Sequence, residues 1–349
     1  MSHRHNRRVS PTSGDESPVA GSSGVPGGIM AGPASRQQKV PATAGRDTAA
    51  ALLIGLLAGI LGLAPWLITG ARLPLQNLWG SQLLPGQMPL ALLPLSQYEA
   101  TTLVSLMTTG AAAAGLAVRR WSPARRRLVT WCAAGGVLLV QATAAIQAFN
   151  VVGEGLAPGA LSRLYLAGLL AGVLAAIAAG LVLLLLLAAR SPALVALGVG
   201  LAAVPFVSWV ASAAAEVAGV GNAPVWLTLL WRWFPAVLVG VALAWCGLRP
   251  AVRAVVWAVD LGLLWVVPAG FTAVSSVLGT RVLGGDLQEM SAMGKQVFAA
   301  ALGPAGGAGP KVLLALAIAL LGAFGRFPAK KGLNAIYRTR AHGFPQPPG

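Results

Sequence analysis

Long apolar runs alternate with short arginine-rich breaks along most of this chain. The sharpest break is residues 119–127, where five arginines fall in nine residues with an apolar run on each side. Lipid cannot accommodate such a cluster of charges, so the two flanking runs are predicted to be separate membrane spans. A span needs about 20 apolar residues to cross roughly 30 Å of hydrocarbon. By that rule we predict eight spans, near residues 48–69, 99–118, 128–149, 164–189, 193–212, 227–248, 254–275 and 311–325.

The charges between the predicted spans separate by sign. The connections 119–127, 190–192 and 249–253 and the C-terminal segment 326–349 carry basic residues and no acidic residue. Loops that stay in the cytoplasm carry such an excess of lysine and arginine. We therefore predict an all-α fold, a polytopic integral membrane helical bundle of about eight transmembrane helices with both termini cytoplasmic.

Two tails flank the predicted transmembrane domain, which covers residues 47–327. Residues 1–46 are rich in Ser, Gly and Pro and carry scattered basic residues, so we predict a disordered basic cytoplasmic tail. Residues 328–349 are predicted to be a second basic cytoplasmic tail. Arginine greatly outnumbers lysine, and Ala, Gly and Pro are abundant, which is typical of a GC-rich bacterial gene. The expected location is therefore the bacterial cytoplasmic membrane.

Composition excludes a soluble protein and changes how the basic charge is interpreted. Of the 349 residues, 56% are hydrophobic and only 10% are charged, against about 25% charged in soluble domains. The net charge of +16 occurs as short clusters at the ends of apolar runs, so nucleic acid is not an expected partner. The expected partners are the lipid bilayer, with anionic lipids at the cytoplasmic face attracted at about 1 kcal/mol per basic residue, and other membrane proteins.

Two connections between predicted spans are long enough to have structure of their own. Residues 73–95 are apolar but interrupted by four prolines, so we predict an interfacial or partly re-entrant segment instead of a span. Residues 286–302 are predicted to form a short amphipathic helix, in which Asp286 and Glu289 have capping-box spacing. Each segment is interpreted either as a cover on the membrane surface or as a substrate-gating lid.

A five-residue pattern of small residues occurs twice. Gly-Leu-Leu-Ala-Gly at residues 55–59 in the first predicted span recurs at residues 168–172 in the fourth. Glycines four residues apart lie on one face of a helix and let another helix backbone approach closely. An internal duplication and chance similarity are both compatible with the recurrence.

No enzyme motif was found in the sequence. The three histidines lie in the tails, so no span offers a histidine to activate a serine, and the two cysteines, Cys132 and Cys246, do not make a zinc-binding pattern. Residues 303–311 are glycine-rich but lack the Gly-Lys-Ser/Thr ending of a phosphate-binding loop. We therefore predict no catalytic, cofactor-binding or metal-binding residue and no cofactor. Catalysis is not expected, although a single carboxylate base stays open.

Polar residues inside the predicted spans are the best candidates for a functional site, because such residues are costly in lipid. Asp260 is the one acidic residue well inside a span, and Arg253, seven residues earlier, lies on the same helix face. Asp260 is interpreted as neutral or paired with a snorkelling arginine or a hydroxyl on a neighbouring helix, or as a protonatable or cation-binding site in a transport path. A third alternative is that it faces lipid head groups in a tilted helix. The other intramembrane candidates are Gln141, Thr108 and Thr109, which are interpreted either as hydrogen bonds between helices or as part of a transport path. Two further candidates, Glu216 and Arg232, are expected to flank the outer mouth of the fifth and sixth spans.

Two classes of function remain open from the sequence. A permease or channel-like transporter of a small solute or lipid is marginally favoured, because eight spans exceed what membrane anchoring requires. The alternative is a non-catalytic accessory or scaffold protein of an envelope or other membrane complex, which fits the low polar content of the spans. A water-filled cavity lined by Asp260 and Gln141 would favour transport, and its absence would favour the accessory protein.

Overall fold

The computed structural model describes residues 42–76, 78–121, 125–218, 225–280 and 287–341. Within these residues there are nine α-helices and no β-strand beyond isolated bridges. Residues 1–41 of the predicted N-terminal tail and 342–349 of the predicted C-terminal tail lie outside the described residues. The helices are α1 (Ala42–Ile68), α2 (Ala100–Trp121), α3 (Arg126–Gly155), α4 (Ala160–Ala188), α5 (Pro192–Ala218), α6 (Val225–Cys246), α7 (Val252–Gly279), α8 (Leu287–Leu302) and α9 (Ala308–Ala341).

Eight of these helices contain a segment long and apolar enough to cross a membrane, which confirms the predicted all-α multi-pass bundle. The eighth segment, Ala308–Gly325, is the shortest at 18 residues, and it begins three residues before the predicted 311–325 span. Helix α8 is not among them and corresponds to the amphipathic helix predicted over 286–302. The segments are Gly45–Ile68, Gln97–Trp121, Arg126–Gly155, Ala160–Ala188, Pro192–Ala218, Thr228–Cys246, Val252–Gly279 and Ala308–Gly325.

The arginine-rich connections also hold helix ends in place. Arg119 and Arg126 donate hydrogen bonds to the carbonyls of Ala189 and Ala188, at the C-terminus of α4. Arg253 Nη1 does the same for the carbonyl at the end of α6, at 2.6 Å. Basic groups at helix C-termini satisfy carbonyls that have no partner within the helix and interact favourably with its dipole. These three arginines are therefore structural, whatever further part they take in orienting the chain.

Helix α5 joins two groups of packed helices. Helices α1 to α4 pack on one another, and helices α6, α7 and α9 form a second group in which α6 packs along α9. Helix α5 contacts α2 and α4 on one side and α6 and α7 on the other. The apolar core is correspondingly divided between these two groups of helices.

Close backbone contacts in the first group depend on the first Gly-Leu-Leu-Ala-Gly copy. A Cβ atom placed on Gly55 would lie 2.1 Å from the carbonyl oxygen of Ala133 in α3, and Gly62 of α1 faces Gly110 of α2 in the same way. The close approach that this spacing allows is therefore present at Gly55. It is not present at residues 168–172, because a Cβ on Gly168 or Gly172 would meet no atom within 4 Å.

Residues 71–76 and 78–95 form a compact segment over one end of the first group, and we call them the capping segment. Its two ends pair through backbone hydrogen bonds between Leu73 and Pro89 (2.9 Å) and between Ala91 and Ala71 (2.8 Å). Trp66 Nε1 donates to the Ala91 carbonyl at 2.8 Å, which ties the segment to α1. The prediction that these residues do not form a span is confirmed. The end of the bundle that they cover is called the capped end, and the end bearing Arg119 and Arg126 the arginine end.

Candidate functional site

A groove of about 690 Å³ lies between α4 and α7 toward the capped end. The start of α2 forms its back wall, and Met290 of α8 borders it. Helix α8 is held against α7 where Trp265 Nε1 donates to the Leu302 carbonyl at 3.0 Å. The residues of α4 and α7 that line the groove are Leu161, Leu164, Tyr165, Gly168, Leu169, Gly172, Val173, Ala175, Gly270, Phe271, Val274, Val277 and Leu278.

The groove exists because small residues leave its walls thin. Gly168 and Gly172 are separated by one helical turn and share a face of α4, and Gly270 lies on the opposite wall in α7. A Cβ atom on any of the three would meet nothing within 4 Å. Larger side chains at these positions would occupy the space between the helices.

Hydrogen bonds fix the capped end of the groove. The Tyr165 hydroxyl donates to Gln76 Oε1 at 2.6 Å and accepts from the backbone N–H of Gln97 at 3.2 Å. Gln76 Nε2 in turn donates to the Leu95 carbonyl at 2.6 Å. This network joins α4, the capping segment and the short turn Gln97–Glu99 that precedes α2. It gives the groove one rigid, hydrogen-bonding end.

The rest of the groove is apolar and uncharged. From Leu161 to Ala175 the α4 wall rises about 21 Å. Polar side chains occur at the capped end, and no charged side chain is present among the described residues that line the groove. The site therefore combines a long apolar wall with a short end of hydroxyl and amide groups: Ser96, Gln97, Thr101, Tyr165 and Thr280.

Three of the polar residues predicted from the spans are buried in the helix packing and do not line the groove. Gln141 is 2% exposed, and its Nε2 donates to the Met107 carbonyl at 2.9 Å, so that it joins α3 to α2. Thr108 donates to the Val104 carbonyl within α2 at 2.6 Å. The buried Thr109 hydroxyl has no hydrogen-bond partner among the described residues.

Asp260 lies between α7 and α5 and is completely buried. Neither carboxylate oxygen has a hydrogen-bond partner in the described part of the chain. The alternative in which Asp260 pairs with an arginine or a hydroxyl is not seen among these residues, because the Arg253 guanidinium is directed to the Cys246 carbonyl. Helix α3 packs on α1, α2 and α4, whereas α7 packs mainly on α5, α8 and α9. Asp260 and Gln141 thus lie in different interfaces, not in one polar site.

The two predicted outer-mouth residues do not belong to the groove. Glu216 and Arg232 are both exposed. The Arg232 guanidinium lies over the ring of Trp233, 5.9 Å from its centroid. Glu216 lies near the end of α5 and Arg232 near the start of α6.

Sequence reasoning missed the residues that define the groove. Tyr165 and Gln76 are a single tyrosine at the start of an apolar run and a glutamine in a proline-broken segment, and neither has a motif around it. The glycines at 168 and 172 were recognised only as a packing motif. A usable signal was the tyrosine three residues before Gly168, which puts a hydroxyl above the glycine face of the helix.

The site does not have the composition of a metal centre. No three His, Cys, Asp or Glu side chains come together in the residues that the structure describes. Comparisons of the chain with protein-family models, with curated proteins and with solved structures gave no match.

Proposed function

We propose that the protein is a lipid transporter that takes one acyl chain of a lipid into the groove between α4 and α7. The observation that carries the proposal is a groove with an apolar wall and a hydrogen-bonding end. Ligand pockets are typically about 300–1,000 Å³, and the volume of about 690 Å³ is within that range. The wall is somewhat longer than the roughly 15 Å depth of one leaflet, half of a 30 Å hydrocarbon core.

The alternative function is a non-catalytic accessory protein that docks a partner helix at this place. We favour a lipid because the hydroxyl and amide groups lie at one end of the groove, whereas its long wall is apolar.

The lipid head group, and not its chain, should determine selectivity. A groove that opens to the bilayer offers an acyl chain surroundings as apolar as those it leaves, so chain transfer contributes little free energy. The hydroxyl and amide groups of Gln97, Thr101 and Thr280 contribute hydrogen bonds that lipid tails cannot. Because the described lining carries no charge, we propose an uncharged, hydroxyl-bearing head group such as that of a glycolipid.

Filling the groove should abolish lipid movement without unfolding the protein. Gly168→Phe combined with Gly172→Phe should reduce the transbilayer movement of a glucosyl lipid with a fluorophore on one acyl chain at least tenfold. The measurement uses purified protein in phosphatidylcholine vesicles and an impermeant quencher. Gly262→Phe is the matched control, since Gly262 of α7 also has nothing within 4 Å of its Cβ but does not line the groove.

Two results would count against this function. Equal movement in the groove-filled variant and the Gly262→Phe control would exclude the groove as the path. Binding of the glucosyl lipid without any protein-dependent movement would overturn transport and favour a lipid-binding accessory protein. A phosphatidylglycerol analogue with the same labelled chain should move much more slowly than the glucosyl lipid if the head group is selected as proposed.

We further propose that the arginine end faces the cytoplasm of a bacterial cell, in the cytoplasmic membrane. In a cysteine-free variant, cysteine at the exposed position Arg125 should be labelled by a membrane-impermeant thiol reagent only after lysis. Cysteine at the exposed position Ser291 in α8 should be labelled in intact cells. The opposite pattern would reverse the orientation. The native Cys246 is a poor reporter because only 1% of it is exposed.

A further inference from the structure

A buried carboxyl group without a partner lies in the middle of the second group of helices. Asp260 is 0% exposed, and both of its carboxylate oxygens lack a hydrogen-bond partner among the described residues. The indole N–H of Trp257, one turn earlier on α7, is likewise buried without a partner. Native proteins pair nearly all buried polar groups, so two orphaned groups one turn apart require an explanation.

The backbone of α5 closes over the carboxyl group. A Cβ atom on Gly200 would lie 2.2 Å from Asp260 Oδ1 and 2.9 Å from its Cγ. Buried side chains around this contact are apolar, including Ala196 and Ala203 of α5 and Leu264 of α7. Asp260 is therefore enclosed by helix backbone and hydrocarbon, and only glycine at position 200 leaves room for it.

No cation is placed to neutralise Asp260 in the part of the chain that the structure describes. Arg253 is the basic residue on the same face of α7, but its backbone lies about 10 Å from that of Asp260 along the helix axis. Its guanidinium donates to the Cys246 carbonyl. On α6 the nearby titratable group is the Cys246 thiol. The titratable residues of α5 and of the described part of the α9 span, Glu216 and Lys311, lie toward the capped end.

These surroundings favour a neutral acid over a carboxylate. An unpaired ionised carboxylate inside a protein costs several kcal/mol even after relaxation, and a group so placed is neutralised instead. We propose that the contact between α5 and α7 is a proton-binding site, in which Asp260 holds a proton while the helices are packed and releases it when they separate. This inference is independent of the proposed lipid transport.

Both helices contain a proline that allows such a separation. Pro205 follows Gly200 by five residues in α5, and Pro268 follows Asp260 by eight residues in α7. A proline inside a helix removes one backbone hydrogen bond and is a usual cause of a kink. The two helices can therefore bend on the capped side of the Asp260 contact. Because the packed form holds one more proton than the separated form, raising the pH favours separation.

Infrared spectroscopy of the purified protein in phosphatidylcholine nanodiscs tests the proton directly. At neutral pH the wild-type protein should show the C=O stretching band of one buried protonated carboxylic acid, shifted in D₂O, and Asp260→Asn should lose that band. A wild-type spectrum without the band would overturn the proposal. So would a band that persists unchanged in Asp260→Asn, because another acid would then hold the proton.

A distance measurement tests the coupling between the proton and the helices. Spin labels at the exposed positions Leu194 of α5 and Val255 of α7 report their separation. Raising the pH until the acid band disappears should broaden the wild-type distance distribution toward longer values, and Asp260→Asn should show no such change. A wild-type distance distribution that does not change with pH, or that changes equally in both proteins, would refute proton release by helix separation.

Discussion

Replacing Gly55 by leucine should prevent assembly of the bundle, whereas the same replacement at Gly168 should leave it folded. The two glycines begin identical five-residue sequences, so local sequence does not distinguish them. At Gly55 even a Cβ atom would come within 2.1 Å of a backbone oxygen of α3, which cannot rotate away. Overpacking usually costs about 1–3 kcal/mol, and a backbone clash of this kind should exceed that range.

The two variants form a matched pair for thermal denaturation in detergent. Gly168→Leu meets no atom within 4 Å of its Cβ and removes a residue that disfavours helix by about 1 kcal/mol. It should therefore melt at or slightly above the wild-type temperature. Gly55→Leu should give little folded protein. Equal melting temperatures for both variants would contradict the assignment of one copy to a helix contact and the other to the groove.

Gly200→Ala should destabilise the protein by about 1–3 kcal/mol, the range for overpacking, and removing the Asp260 carboxyl should reverse most of that loss. The new methyl group would collide with Oδ1 and Cγ of Asp260, whereas the Asp260 Cβ lies at an acceptable 3.4 Å. In an Asp260→Ala background both colliding atoms are gone. The double-mutant cycle should therefore give a coupling free energy of similar size and favourable sign.

A neighbouring glycine provides the control for this cycle. A Cβ on Gly198 would be 2.9 Å from Cδ2 of Leu187 and 3.1 Å from Cβ of Leu186, so this position is also crowded, but not by Asp260. Gly198→Ala should therefore destabilise the protein without coupling to Asp260→Ala. Additive free energies of unfolding for Gly200→Ala and Asp260→Ala would mean that the two residues are not in contact. That result would also remove the enclosed carboxyl on which the proton site depends.

The span pattern was predictable because it follows from a single physical requirement. Each span needs a long apolar run, and charge clusters such as residues 119–127 cannot lie within one. The helix over 286–302 was predictable for a similar reason, since amphipathic periodicity is local. Proline interruptions likewise excluded a span at 73–95. These features depend on nearby residues alone.

Features that depend on the partner of a helix face could not be predicted in this way. Sequence gives Gly55 and Gly168 the same environment, and only the arrangement of helices places α3 against one and open space against the other. Asp260 is on the same face of α7 as Arg253, yet the arginine bonds to a carbonyl of α6. That acceptor is the Cys246 carbonyl at the C-terminus of α6. Residue spacing within α7 gives no information about it.

The most direct test of the lipid groove is a map of where a lipid chain contacts the protein. The probe is a glucosyl lipid with a photoreactive diazirine in one acyl chain, and adducts are located by mass spectrometry after illumination in phosphatidylcholine nanodiscs. We expect adducts concentrated on residues 161–175 of α4 and 270–278 of α7, and their loss in Gly168→Phe/Gly172→Phe but not in Gly262→Phe. Adducts spread evenly over the exposed apolar faces, including Leu53 and Leu57 of α1, would contradict a specific lipid site.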